Sequence, residues 1–219
     1  MIQLLPFYQL GDEAALLTAL ADVPPWAESP ARPRGDRGLR SAFRRWSPQS
    51  GTLPPALLEP VFDAAGRREW FTRLPPDGQD ASAARVAAAL HLFALGPREE
   101  NRHTTAVSFG AACGREPSSG KGAIVSNGRF ARLVNAPPDP ALRLLALGRA
   151  FRHLGAANVR VAGSDAPNLL RFLFTTEPES AVARWAGDYF RMRPIRDEID
   201  HPAEVPTDSD DSSLTLQTS

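Results

Sequence analysis

Pairs of arginines at helical spacing are the most chemically suggestive feature of this 219-residue sequence. Arg129 and Arg132 are three residues apart, as are Arg149 and Arg152, and His153 follows the second pair. On a helix such pairs share a face. Two short helices joined by the turn at Pro137-Pro138 would present guanidinium forks along a run of phosphates. The stretch Asp36–Trp46 (DRGLRSAFRRW) repeats the theme. Leu39, Phe43 and Trp46 fall at i, i+4 and i+7, with Arg37, Arg40 and Arg44 opposite, which makes a basic amphipathic helix. The expected nucleic-acid face is therefore Arg129, Arg132, Arg149 and Arg152, with Arg40, Arg44 and Arg45 as a second candidate and Lys121 in the neighbouring loop. Arg143 stands apart, at the edge of the Leu147/Phe151/Leu154 face, as a structural ion-pair partner. The competing reading is a set of ordinary solvated helix faces.

Catalytic, metal and cofactor chemistry find no residues. The loop Gly114–Gly122 (GREPSSGKG) fails as a phosphate-binding P-loop. Five residues rather than four separate Gly114 from Gly120-Lys121, and Gly122 stands where a Mg²⁺-binding Ser or Thr is needed. His91, His103, His153 and His201 lack zinc spacing, and His91, among apolar helix residues, reads as a core or half-buried histidine. Ala162-Gly163-Ser164-Asp165 only resembles a nucleophile elbow, and Ser164 or Asp165 is better read as a helix N-cap. Glu99-Glu100 reads as a solvated turn. Cys113, the single cysteine, lies beside Ala111 and Ala112 and reads as an inert buried thiol. No catalytic residue, metal or cofactor is expected.

The elements that would carry the arginines are helices. The chain has 34 Ala and 25 Leu against 10 Val and 4 Ile, too few β-branched residues for a sheet protein. The formal net charge is zero, yet Ser29–Arg152 holds 19 basic and 10 acidic residues while His153 onward holds 6 and 11. A neutral protein can thus carry a basic working surface. Helices are expected from Asp12 through Ala21, from Asp36, and from Asp80 to Leu95 with Gly96 as stop. Others are expected from Ser126 to Asn135 and from Asp139-Pro140 to Leu154-Gly155. A capping box at Thr176–Glu179 would open a last helix, with Val182, Trp185, Ala186, Tyr189 and Phe190 on one face.

The fold expected is all-α: two small helical bundles, residues 1–113 and 123–196, joined by the Gly/Ser/Pro-containing linker 114–122. An acidic tail over 197–219, poor in aromatics, is expected to be disordered. No apolar run approaches the roughly 20 residues of a membrane span. The start, MIQLLPFYQLGDE, has no basic region or cleavage site of a secretion signal. A single cysteine suits a reducing cytoplasm.

Read in order, several segments resemble one family: CasB, the small subunit of the type I-E CRISPR surveillance complex (Cascade). The resemblance covers about residues 36–193. Asp36–Trp46 and Val86–Leu95 (VAAALHLFAL) begin it. Thr105–Gly110 (TAVSFG) is similar to the family's S-[LF]-G turn, and Val125–Ala136 (VSNGRFARLVNA) to its VSERRFRRLLRA helix. Ala141–Gly155 resembles the following Leu/Arg helix, and Ala183–Phe190 (ARWAGDYF) the terminal RRWARDYY. The resemblance implies an all-α protein without enzymatic activity. It would sit in two copies beside the Cascade backbone and large subunits, supporting the crRNA–target duplex and holding the displaced DNA strand of the R-loop. Ala111, Asn127-Gly128 and Gly187 depart from the family, and three positive charges are missing there. The alternatives are a helical adaptor whose Arg faces bind acidic partner surfaces, and a small helical enzyme whose site the sequence does not display.

Overall fold

The computed structural model describes residues 4–22, 26, 36–47, 61–62, 68–97, 105–120 and 122–194. Among these lie nine α-helices. They are α1 (Gly11–Asp22), α2 (Arg37–Arg45), α3 (Arg68–Arg73), α4 (Pro76–Leu95) and α5 (Phe109–Gly114), then α6 (Asn127–Val134), α7 (Pro140–Ala156), α8 (Ala166–Phe174) and α9 (Glu179–Met192). Short 3₁₀ turns at Phe7–Leu10 and Gly163–Asp165 precede α1 and α8. No strand occurs among the described residues; Val107 and Val161 form one isolated parallel bridge. The all-α expectation is met. The tail 197–219, Pro24-Pro25, Pro54-Pro55, Glu99-Glu100, His103 and His201 lie outside the described residues.

Local chemistry starts several helices where the sequence predicts. Asp36 accepts the Leu39 N–H at 2.7 Å and caps α2, and Asp139 accepts the Leu142 N–H at 2.9 Å and caps α7. Other ends differ. The 3₁₀ turn at Phe7–Leu10 runs directly into α1, so Asp12 sits inside its first turn rather than at its cap. Pro76, with φ fixed near the helical value, opens α4 four residues before Asp80. The capping box at Thr176–Glu179 does not form: Pro178 occupies the N-cap, without a side-chain bond. Gly155 does not stop α7, which continues to Ala156. Its role is contact, since a Cβ there would meet the Leu95 carbonyl oxygen at 2.5 Å.

The core is built around α4. Its alanines are small enough for neighbours to approach from several sides, and Ala87, Ala88, Leu90, Leu92 and Ala94 are fully buried. Helices α1, α2, α7 and α8 all pack on it. Buried Glu13 of α1 accepts Nε of Arg85 of α4 at 3.2 Å, and Nη2 as well, so both charges are paired where water cannot reach. Helix α1 also packs on α8, and α5 on α9, so the described residues on either side of the expected linker share one continuous core. The segment 114–122 turns sharply at Gly120, whose N–H donates to Pro117 O at 2.9 Å. It returns at once, with Ile124 N–H donating to Arg115 O and Val125 N–H to Cys113 O.

The closest packing is between α5 and α9. Gly110 and Gly114, one helical turn apart, lie against the backbones of Trp185 and Tyr189, and a Cβ at either glycine would collide with the carbonyl opposite. The preceding residues complete the contact. Ser108 accepts the Ala111 N–H at 3.3 Å as N-cap and donates to Asp188 of α9 at 2.6 Å, while Phe109 is fully buried against Trp185 and Phe151. Each residue of the Ser-Phe-Gly turn thus has its own task. Overpacking of this kind costs about 1–3 kcal/mol, occasionally more. Gly110→Ala and Gly114→Ala should each lower the urea-unfolding free energy by at least that amount. Gly187→Ala, with nothing within 4 Å of its Cβ position, should instead raise it by about 0.5–1 kcal/mol. Equal stabilities for the three variants would show that the helices do not touch backbone to backbone.

Candidate nucleic-acid interface

Helices α6 and α7 are joined by the short proline turn 135–139, in which the Ala136 N–H donates to Leu133 O at 3.1 Å and Asp139 caps α7. Phe130 and Leu133 bury one face of α6, and Phe130 stacks on Tyr189 of α9 with ring centres 4.1 Å apart. Burial of Leu147, Ala150, Phe151 and Leu154 likewise fixes the inner face of α7. The outer faces are left to the charged residues. Arg129 and Arg132 from α6 and Arg149 and His153 from α7 converge on an open groove of about 470 Å³. Its floor is Val125, Leu133, Ala146 and Ala150.

The groove carries three guanidinium groups, and no carboxylate is among the described residues that line it. Arg129 Nη1 lies 3.2 Å from His153 Nε2. A guanidinium only donates, so the imidazole nitrogen is the acceptor in this contact. Arg132 donates Nε to the Gly128 carbonyl of its own helix at 3.1 Å, which holds the side chain along α6. Arg152 is exposed on α7 but does not line the groove; its charge is felt instead at His91 of α4. Leu142 and Leu145, both 48% exposed, flank this arginine face on α7.

The remaining sequence candidates sort differently. Arg40 is only partly exposed, and its Nη2 donates to the carbonyls of Ala94, Gly96 and Pro97 at 3.3, 3.0 and 3.0 Å. It satisfies carbonyls that the end of α4 cannot pair internally, at the end where the helix dipole favours a cation. Arg44 and Arg45 are exposed in the last turn of α2. Lys121 lies outside the described residues. Arg143 is buried, as its place on the wheel suggested, but it binds carbonyls rather than a carboxylate: Nη1 donates to Phe172 O and Thr175 O at 2.7 Å each. Ala111 is half-buried, and Gly128 and Gly187 face open space, so the departures from the family leave vacant surface rather than filled contacts.

Three groups bear on chemistry other than binding. Asp165 is buried and stands at the N-cap of α8, but its side chain makes no capping bond; it accepts Phe109 N–H at 2.8 Å, Trp185 Nε1 at 2.9 Å and Asn168 Nδ2 at 2.6 Å. Every one of those donors is structural. Burial pushes the Cys113 thiol well up, with the charge of Asp165 adding to the effect, which fits the inert thiol expected. No cluster of three metal-ligating side chains occurs among the described residues. His91 is half-buried, its Nδ1 donating to Phe43 O at 2.8 Å with the Trp46 ring edge-on at 6.2 Å. Burial lowers its pKa, the bond to Phe43 opposes this, and the charge of Arg152 lowers it further.

Compared with known families, the chain matches the family model described as CRISPR-associated protein Cse2 over residues 40–190. That span contains both groove helices and the α5–α9 contact. No curated protein and no solved structure gives a significant match.

The His91 geometry fixes the sign of a pH effect. An imidazole with a lowered pKa takes its proton more readily in the unfolded chain, so its contribution to stability is complete above about pH 6.5 and is lost as the pH falls toward the folded value. The unfolding free energy should therefore drop between pH 7.5 and 5.5 by more than it does in His91→Gln. In an NMR titration His91 should titrate below the ordinary histidine value and move upward in Arg152→Ala. An ordinary or raised value in the parent chain would contradict the burial and charge described here.

Proposed function

The chain belongs to the CRISPR-associated Cse2 family, the CasB small subunits of Cascade, and on that premise we propose that it is a non-catalytic subunit of a crRNA-guided surveillance complex in antiviral defence. Within that complex it stabilises the R-loop by sequence-independent contacts to the backbone of the displaced DNA strand, and it supports the crRNA–target duplex. Its partners are the Cascade backbone and large subunits and a second copy of itself, and it works in the cytoplasm. No helix among the described residues is long and apolar enough to cross a membrane. The observation that carries the proposal is the α6–α7 groove, where Arg129, Arg132 and Arg149 face outward from helices pinned by the core and the described residues of the lining include no carboxylate.

The physics of the R-loop supports such a role. Exchange of a DNA duplex for a crRNA–DNA duplex is nearly balanced, so modest contacts to the freed strand tip it. Guanidinium–phosphate contacts suit the task because they hold a strand without reading its bases. Arg149, Arg152, Arg129 and Arg132 form the principal face in this reading, with Arg44 and Arg45 available at the end of α2. Arg40 is a packing residue first, since it binds three carbonyls at and just beyond the end of α4. The second reading, a protein adaptor, is favoured by exposed Leu142 and Leu145 beside Arg149, because apolar side chains next to cations suit a protein surface. Competition by single-stranded DNA and salt dependence separate the two.

Each phosphate contact on a single strand contributes about −0.7 to the log–log salt slope. Arg149→Ala/Arg152→Ala in reconstituted complexes should flatten the slope of strand binding by about one unit or a little more, weaken all sequences alike and leave helical content unchanged. Gly128→Arg, which places a charge on open surface beside Arg132, should steepen the slope by about 0.7. Unaltered affinity and slope in a folded, incorporated double variant would move the strand to another surface.

A further inference from the structure

The groove offers carbon as well as charge. A hydrated phosphate gains nothing from carbon, yet the apolar half of the lining is Val125, Leu133, Ala146 and Ala150. Three of these four are buried and Ala146 is half-buried, so the floor is part of the packed core seen from outside rather than a surface that can rearrange. Its volume of about 470 Å³ lies within the roughly 300–1,000 Å³ of clefts that bind small organic ligands. The unit that matches a carbon floor between cationic rims is a nucleotide. Its base has an apolar face, and its two flanking phosphates are anionic.

We propose that the α6–α7 groove seats one unstacked base of a single-stranded nucleic acid on its aliphatic floor, with the flanking phosphates held by the arginines of the two rims; this rests on the strand-binding reading above and specifies what the strand inserts. The floor side chains have no polar atoms, so the edge of the base is not read and any base fits. The planar guanidinium groups at the rim can also lie against the base, which adds to the hold without adding sequence preference. A base in a duplex is stacked and paired and cannot reach the floor. The groove therefore distinguishes a freed strand from a duplex, which arginines on a convex surface would not do. An arriving phosphate also competes with His153 for Arg129, now 3.2 Å from the imidazole nitrogen.

The test compares binding of the full chain, at low salt, to an oligothymidylate and to a strand of equal length and charge made of abasic sites. The base seat requires the abasic strand to bind about fivefold more weakly or worse, about fivefold being the low end of what stacking a base on an aromatic side chain is worth. The salt slope should be the same for both strands, because the phosphates are unchanged. Ala146→Leu, which fills the floor from its half-buried position, should erase the preference for the oligothymidylate and keep the slope, whereas Arg149→Ala should flatten the slope. Equal binding of the two strands, with the slope still flattened by Arg149→Ala, overturns the base seat and leaves the backbone reading standing. No binding of either strand, or a slope indifferent to Arg149→Ala, overturns both. The strand comparison needs no variant, so a failure of Ala146→Leu to fold leaves the result decisive.

Discussion

One buried carboxylate holds the parts of this molecule in register. Asp165 sits in the 3₁₀ turn before α8 and receives hydrogen bonds from the backbone of Phe109, the indole of Trp185 and the amide of Asn168. A buried charge must be met by donors or it is prohibitively costly, and charge-assisted bonds are the stronger kind. These three come from the start of α5, the middle of α9 and the first turn of α8, so satisfying the carboxylate also fixes three elements against one another. The groove inherits that order. Trp185 sets the position of α9, and Tyr189 one turn later donates its hydroxyl to Val125 O at 2.9 Å and stacks on Phe130. Val125 is in the groove floor, and Phe130 fixes the rotation of α6 that turns Arg129 and Arg132 outward.

The arginines divide into two populations by what surrounds them. Arg40, Arg85 and Arg143 are drawn into the packing. Arg85 pairs with Glu13, while Arg40 and Arg143 collect carbonyls at the ends of α4 and α8. A planar fork with five donors suits a helix end, where several carbonyls crowd together without partners. Arg129, Arg132, Arg149 and Arg152 remain on the outside of helices whose other faces are filled with Phe and Leu. The same residue type thus serves as internal mortar and as external charge. A count of basic residues cannot tell the two uses apart.

Much of this was legible in the sequence, and what was missed has a common cause. The starts of α2 and α7 were readable because Asp36 and Asp139 act on N–H groups three residues away. The burial of Leu39, Phe43, Trp185 and Tyr189 followed from helical periodicity. Asp165 reads locally as a cap because two of its three partners are 56 and 20 residues distant, beyond any local pattern. The carbonyls that Arg40 binds are likewise not visible on its own helix wheel, because Gly96 and Pro97 lie 56 and 57 residues away. Phe190 shares a motif with Tyr189 yet is 57% exposed, because one residue turns the side chain by about 100° and α5 covers only one side of α9. The Arg pairs were visible as i, i+3 spacings. That Arg129, Arg132 and Arg149 share a groove that Arg152 does not line depends on how the proline turn folds α6 onto α7.

The charge balance then bears on how such a groove would work. The chain as a whole is neutral, so at physiological salt, where fields fade over about 8 Å, little long-range attraction draws a strand toward it. The vacant surface at Gly128 and Gly187 weakens the local field further relative to the family pattern. In the proposed role, a groove with three arginines and a small apolar floor would therefore be a short-range grip on a strand already brought close. Assembly would supply that closeness, because a strand displaced within the same complex would be present at high effective concentration and need little free-solution affinity. Weak intrinsic binding is then compatible with the role: opening the duplex is nearly balanced, and a subunit that bound any single strand tightly on its own would be occupied before the target was opened.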